Sequence, residues 1–138
     1  MTRPQDVPAS TARICVVDDD AAVRYALCNL LEAGGYGVLA FESGEALLAA
    51  QDLAQVDVAV FDVKLRGMSG FILLERFRQR TRAEALDIPV LLISGHSDRA
   101  MEQRALDAGA LVLLRKPVDP DRLFELVEAA LRRRTAAE

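Results

Sequence analysis

Four places in this chain put oxygen or nitrogen donors where they could act together: the run Asp18-Asp19-Asp20, the single Asp62, the pair Ser94-Gly95, and Lys116 followed by Pro117. Carboxylates brought close together repel, and each resists ionising unless a cation joins them. An all-oxygen donor set of this kind suits Mg2+ or Mn2+, which keep water ligands and octahedral geometry. A divalent ion beside Asp62 would also neutralise an incoming phosphoryl group and leave the carboxylate able to attack it, forming an acyl phosphate. Lys116 and the Ser94 hydroxyl could bind phosphoryl oxygens, with Gly95 leaving room for them. Lysine usage points the same way, since 15 of the 17 basic residues are Arg and the other two are Lys64 and Lys116. Arg is a planar fork, whereas Lys is a compact point charge suited to one phosphate-like oxygen.

Taken one at a time, these residues have plainer explanations. An acidic run after a strand is favoured by helix capping and by the helix dipole. Asp62 alone reads as a turn residue, Ser94 as a turn or cap, Lys116 as a solvated charge and His96 as a solvated loop residue. Position separates the two readings. Five short apolar runs, ICVV (14–17), YGVLAF (36–41), VDVAVF (56–61), IPVLLI (88–93) and ALVLL (110–114), alternate with stretches of helical spacing. Val23, Leu27, Leu30 and Leu31 share a face ahead of Gly34-Gly35, and Leu123, Phe124, Val127 and Leu131 do so after Asp119-Pro120. Ser43, Ser69 and Ser97-Asp98 stand where the helices between could be capped, and Gly109-Ala110 closes the fourth. Five strands alternating with five helices predict an α/β fold, a parallel sheet covered on both faces. Ligands of such sheets gather beyond the carboxyl ends of the strands. The first strand leads into Asp18-Asp19-Asp20, the third into Asp62, the fourth into Ser94-Gly95 and the fifth into Arg115-Lys116-Pro117. All four places therefore meet on one rim.

The remaining composition sets bounds. A chain of 138 residues suffices for one ordinary domain. With 51% hydrophobic residues it can build a core, which excludes general disorder. The net charge of −4 argues against sequence-blind nucleic-acid binding as the main role. No apolar run approaches the ~20 residues of a membrane helix, and MTRPQDVPAS (1–10) lacks the apolar stretch of a secretory signal. A cytoplasmic setting is expected, with Cys15 and Cys28 reduced and structural. Residues 1–11 read as a flexible leader, 12–133 as the domain and 134–138 as a C-terminal tail. The segment 80–87 reads as the most loop-like interior stretch, and the arginines of 132–134 as complements to a helix dipole.

The motifs VVDDD (16–20), VFDVKLRGMSG (60–70), LLISGH (91–96), DAGA (107–110) and RKP (115–117) together resemble the receiver domain of bacterial two-component response regulators, over about residues 12–133. The resemblance implies a doubly wound five-stranded parallel sheet of order 2-1-3-4-5, the flavodoxin-like and CheY-like (βα)5 fold. It implies that Asp62 is the phosphoacceptor. It implies a Mg2+ site made by Asp18 and Asp19, with Asp19 binding directly and Asp18 through water, together with Asp62 and the backbone carbonyl of Lys64. Ser94 corresponds to the family's switch hydroxyl, Lys116 to its phosphate-binding lysine, and Pro117 to a residue whose preceding peptide bond is typically cis. Lys64 and His96 occupy the variable positions that tune the lifetime of the phosphoryl group, with Gly95 between switch and loop. Arg66 departs from the Pro that usually stands there, and Leu113 from the usual switch aromatic, which weakens the coupling or moves it to the backbone.

The implied phosphodonor is a sensor histidine kinase or phosphotransfer protein. The output is expected through the face of the fourth helix, fifth strand and fifth helix, by engaging a partner or a second copy, without direct nucleic-acid or membrane binding. The chain ends with its fifth helix, so either a single-domain regulator or a receiver cut from a longer chain is expected. Two other classes compete: a receiver-like binding module that works unphosphorylated, and a Mg2+ phosphatase of the haloacid-dehalogenase type. Against the phosphatase stand Ala22, where Thr would be needed, and the missing late acidic pair. A nucleotide-binding relative of flavodoxin is opposed by three acids standing where a Gly-rich phosphate loop would be.

Overall fold

The structure is a computed structural model that describes residues 11–137. In chain order the elements are β1 (Arg13–Val17), α1 (Ala21–Ala33), β2 (Gly37–Phe41), α2 (Gly44–Ala49), β3 (Val58–Asp62), α3 (Gly70–Ala83), β4 (Val90–Ser94), α4 (Arg99–Asp107), β5 (Val112–Arg115) and α5 (Pro120–Ala137). A 3-10 turn, Leu53–Gln55, joins α2 to β3. Every neighbouring pair of strands is parallel, and the sheet runs β2-β1-β3-β4-β5, the order expected from the motifs.

Successive side chains of a strand point to opposite faces, and the two faces here are both apolar. Ile14, Val16, Val58, Val60, Leu91 and Ile93 pack with Leu27 and Leu31 of α1 and with Leu123 and Val127 of α5. Cys15, Val17, Ala59, Phe61, Val90 and Leu92 turn the other way, onto Leu47 of α2, Phe71 and Phe77 of α3 and Ala105 of α4. That is why β3 and β4 are buried along their whole length while β2, at the edge, is only half-buried. Leu113 of β5 belongs to the second layer and pairs in register with Leu92.

Helices begin where the sequence supplies caps. Asp20 Oδ1 accepts the N–H groups of Ala22 and Val23 at 2.9 and 3.3 Å, Ser43 that of Ala46 at 3.1 Å, Ser69 that of Ile72 at 3.2 Å, and Asp98 that of Met101 at 2.8 Å. Asp119 accepts from Asp121 at 3.3 Å, and Pro120 opens α5. α1 ends at Gly34, and Gly35 follows with φ 94°, a left-handed conformation suited to glycine.

Several boundaries differ from expectation, β4 starting at Val90 and β5 at Val112, each two residues into its apolar run. The segment 80–87 is not all loop, because α3 continues to Ala83. Arg80 accounts for the extra turn: its guanidinium donates to the carbonyls of Leu48 and Ala50 and pairs with Glu84 at 2.9 Å, tying the helix end to the end of α2. α5 runs from Pro120 to Ala137, through the arginines of 132–134. Val56 ends the 3-10 turn instead of starting β3. Residues 1–10 of the expected leader lie outside the described residues.

Candidate functional site

Parallel strands deliver their carboxyl ends to one edge of the sheet, and the chemistry-bearing residues arrive there together. Asp62 is the last residue of β3 and Ser94 the last of β4, while Asp18 follows β1 and Lys116 follows β5. Asp18 is 1% exposed, Asp62 6% and Ser94 5%. Lys116 Nζ bridges the two acids, donating to Asp62 Oδ2 at 3.1 Å and to Asp18 Oδ2 at 3.3 Å. Oxygens of Asp18, Asp19 and Asp62 all lie within 4.8 Å of one another. Three acids thus converge where one ammonium reaches two of them.

Each acid is held from behind. Asp18 Oδ1 accepts the N–H of Asp20 at 2.9 Å, and the Arg24 guanidinium donates to the Asp18 carbonyl at 2.7 Å. Asp62 Oδ1 accepts the N–H of Lys64 at 3.3 Å. Asp19 Oδ2 accepts the N–H of Arg66 at 3.1 Å, and the Arg66 Nε lies 3.6 Å from the same oxygen. Gly70 presses the start of α3 against the end of β3: its N–H donates to the Val63 carbonyl at 2.7 Å, and a Cβ there would stand 2.4 Å from the Asp62 carbonyl oxygen. Burial pushes the Asp18 carboxyl above its ordinary range, and the Asp62 charge adds to this against the pull of the Asp20 N–H and Lys116. Burial alone would lower Lys116, but its hydrogen bonds and charge contacts with Asp62 and Asp18 outweigh that and hold its ammonium above the ordinary value.

The Ser94 hydroxyl is turned toward its own loop. It donates to the His96 carbonyl and accepts the His96 N–H at 3.1 Å. The exposed His96 ring lies 3.7 Å from the Asp98 carboxylate, at the cap of α4. A Cβ on Gly95 would meet nothing within 4 Å. Leu113 lies buried in the core layer, and the Lys116–Pro117 peptide bond is cis.

Residues 14–128 match the response regulator receiver domain family. The chain belongs to that family. Its curated relatives include the transcriptional regulatory protein FixJ of Bradyrhizobium diazoefficiens, 37% identical over 119 residues, which cover 86% of this chain and 56% of FixJ. The DNA-binding transcriptional regulator NtrC of Salmonella typhimurium is 36% identical over 118 residues, covering 86% of this chain and 24% of NtrC. The chain therefore spans from about a quarter to just over half of the length of these relatives. Among solved structures, a receiver domain protein from Clostridium thermocellum superposes with a TM-score of 0.82 at 27% identity, covering 92% of this chain and 99% of that one. A CheY-like receiver domain protein from Methanospirillum hungatei does so with 0.80 at 27%, covering 94% and 100%.

Receiver domains are phosphoacceptor switches of two-component signalling, and the family match sets the phosphatase reading aside. They generally bind Mg2+, and the acidic cluster of Asp18, Asp19 and Asp62 could hold such a metal. Its donors are all hard carboxylate oxygens, two of them on buried residues whose charges repel, which is the chemistry a small divalent cation satisfies. Among the described residues no helix is long and apolar enough to cross a membrane.

Sequence reasoning named the site acids, the hydroxyl and the lysine, but gave no role to Arg24 or Gly70. Gly70 closes the motif VFDVKLRGMSG, and its need shows only once the strand end is placed beneath it. Arg24, four residues after the cap Asp20, follows the spacing of one helical turn, yet its target is a backbone carbonyl that no residue type announces.

Proposed function

We propose that Asp62 takes a phosphoryl group from a phosphohistidine presented by a sensor histidine kinase or phosphotransfer protein, and that the resulting acyl phosphate switches the domain. The observation that carries this reading is the buried Asp62 carboxylate, 3.1 Å from Lys116 Nζ and inside a cluster of three acids. An Asp62 oxygen attacks phosphorus, the P–N bond to the donor imidazole breaks, and its electron pair leaves with the imidazole. Asp18, Asp19, Asp62 and the backbone carbonyl of Lys64 would hold Mg2+ or Mn2+, which supplies charge neutralisation to the phosphoryl oxygens. Lys116 then transfers its hydrogen bonds from the carboxylates to a phosphoryl oxygen. Modification adds about −1.5 to −2 of charge if the acyl phosphate resembles other side-chain phosphates, and the Ser94 hydroxyl answers it by leaving His96. Lys64 and His96, both exposed at the rim, govern how water reaches the acyl phosphate and so set its lifetime.

With Leu113 buried and no ring to rotate, the signal runs through the backbone. Ser94 is bonded to both backbone polar groups of His96, two residues ahead of Asp98, which caps α4. Releasing them shifts the balance between two arrangements of the α4-β5-α5 face. That face gains or loses an output partner or a second copy of the domain, in the cytoplasm and without binding nucleic acid itself.

Intact mass after incubation with acetyl phosphate and Mg2+ tests the reading. One added phosphoryl group is expected, absent in Asp62→Asn and in a chelated sample. An adduct that persists in Asp62→Asn would mean a different nucleophile, and no adduct on folded protein would favour a module that works unphosphorylated.

A further inference from the structure

Arg66 sits on the outer wall of the acidic cluster and reaches one of its members twice. Its backbone N–H donates to Asp19 Oδ2 at 3.1 Å, and its guanidinium Nε lies 3.6 Å from that same oxygen. The two contacts differ in kind. The N–H belongs to the loop between β3 and α3 and fixes Asp19 against that loop whatever side chain stands at 66, Pro excepted. The guanidinium is 93% exposed on a long flexible stem, so it is poorly suited to hold Asp19 in one orientation. What it does bring is charge.

Asp18, Asp19 and Asp62 offer three negative charges, and Lys116 bridges two of the three acids. A second cation against the third acid leaves less net negative charge for an incoming ion. We infer that the Arg66 guanidinium is a built-in competitor of the divalent cation: it occupies Asp19 when the metal is away and lowers the affinity of the site for Mg2+ and Mn2+. The inference rests on the proposed metal role of the three acids and adds to it a residue that sets how much free metal the switch needs.

A unit charge beside a divalent site, acting through water and screened over a Debye length of about 10 Å at 0.1 M salt, changes affinity by roughly threefold, and by nearer tenfold at low ionic strength. The competition is therefore strongest in dilute buffer and fades with salt, which a packing or orienting role would not do.

Mn2+ binding to the unphosphorylated protein, read as the loss of the free-ion electron paramagnetic resonance signal, tests this without any phosphotransfer. Arg66→Ala and Arg66→Gln should bind Mn2+ about threefold more tightly than the wild type at 0.1 M salt. Arg66→Lys should stay near the wild type, and the gap should close at about 0.5 M salt. Unchanged or weaker binding in Arg66→Ala, with wild-type binding intact, would overturn the competitor and leave the metal site standing. No saturable Mn2+ binding by the wild type, with Asp19→Asn indistinguishable from it, would overturn the metal site itself and this inference with it.

Discussion

Gly70→Ala is the sharpest test of how the fold positions Asp62. An added Cβ would lie 2.4 Å from the Asp62 carbonyl oxygen and 2.8 Å from the Val63 Cα, both backbone atoms that no side-chain rotation can move aside. Ordinary van der Waals contact begins at 3.4 Å, so α3 must withdraw by roughly 1 Å from the end of β3. Overpacking of this kind costs about 1–3 kcal/mol. Stretching the 2.7 Å bond from Gly70 N–H to the Val63 carbonyl costs about 1 kcal/mol more. Replacing Gly stiffens the unfolded chain and returns about 0.5–1 kcal/mol. The net loss is about 1–3.5 kcal/mol, which for a domain of this size lowers Tm by roughly 4–14 °C. Gly95→Ala is the control, since its Cβ meets nothing within 4 Å. It should melt within about 2 °C of the wild type. Thermal melts and urea titrations followed by circular dichroism read both, and the urea slope should stay constant. The rate of phosphorylation by acetyl phosphate should fall in Gly70→Ala, because withdrawing α3 strains the loop that joins it to Asp62 at the end of β3 and carries Lys64. A Gly70→Ala protein as stable as the wild type, or a Gly95→Ala protein destabilised equally, would refute the steric reasoning.

Lys116→Met removes the ammonium that two buried carboxylates share, at a site where Lys116 is itself 25% exposed. Urea unfolding at pH 7 should show a loss of about 2–3 kcal/mol, below the range for a fully buried pair, and Mn2+ should stabilise this variant more than the wild type. Asp20→Ala should cost about 1 kcal/mol as a lost cap and still bind Mn2+, whereas Asp19→Asn should not; equal losses in a Mn2+ titration would show that Asp20 is more than a cap. Burial pushes the Cys15 thiol up to about 12 from 9.0. Its contribution to stability is therefore complete below pH 9 and is lost as pH rises toward about 12. Cys15→Ala should flatten that alkaline limb of the urea-stability profile, and a thiol reagent at pH 8 should find Cys28 in the native protein but both thiols only after unfolding.

The fold was legible because its signal is redundant. Strands buried on both faces read as continuous apolar runs, and every gap between them holds a capping residue at the helical start. Boundaries were less legible where a side chain reaches far along the sequence. Arg80 extends α3 by donating to carbonyls about 30 residues away, which nothing in the local sequence 80–87 announces. Gly70 shows the same limit at the site: its requirement is set by the Asp62 carbonyl, and only the packed structure shows the approach.

The run Asp18-Asp19-Asp20 shows how three identical residues can hold different positions. β1 ends at Val17 and α1 begins at Ala21, so the three acids span the whole turn between a buried strand and the exposed first residues of a helix. Asp18 still continues the strand's burial and finds Lys116. Asp20 already stands at the helix entrance and spends its Oδ1 on the N–H groups of Ala22 and Val23. Asp19, between them, faces the rim and meets Arg66. Capping and ion-binding readings of this run therefore do not exclude each other: Asp20 is a cap, while Asp18 and Asp19 complete the acidic cluster. Residue type could place all three acids at the rim, but only the one-residue steps of the backbone between strand and helix distribute them over a buried ion pair, an exposed ion pair and a cap.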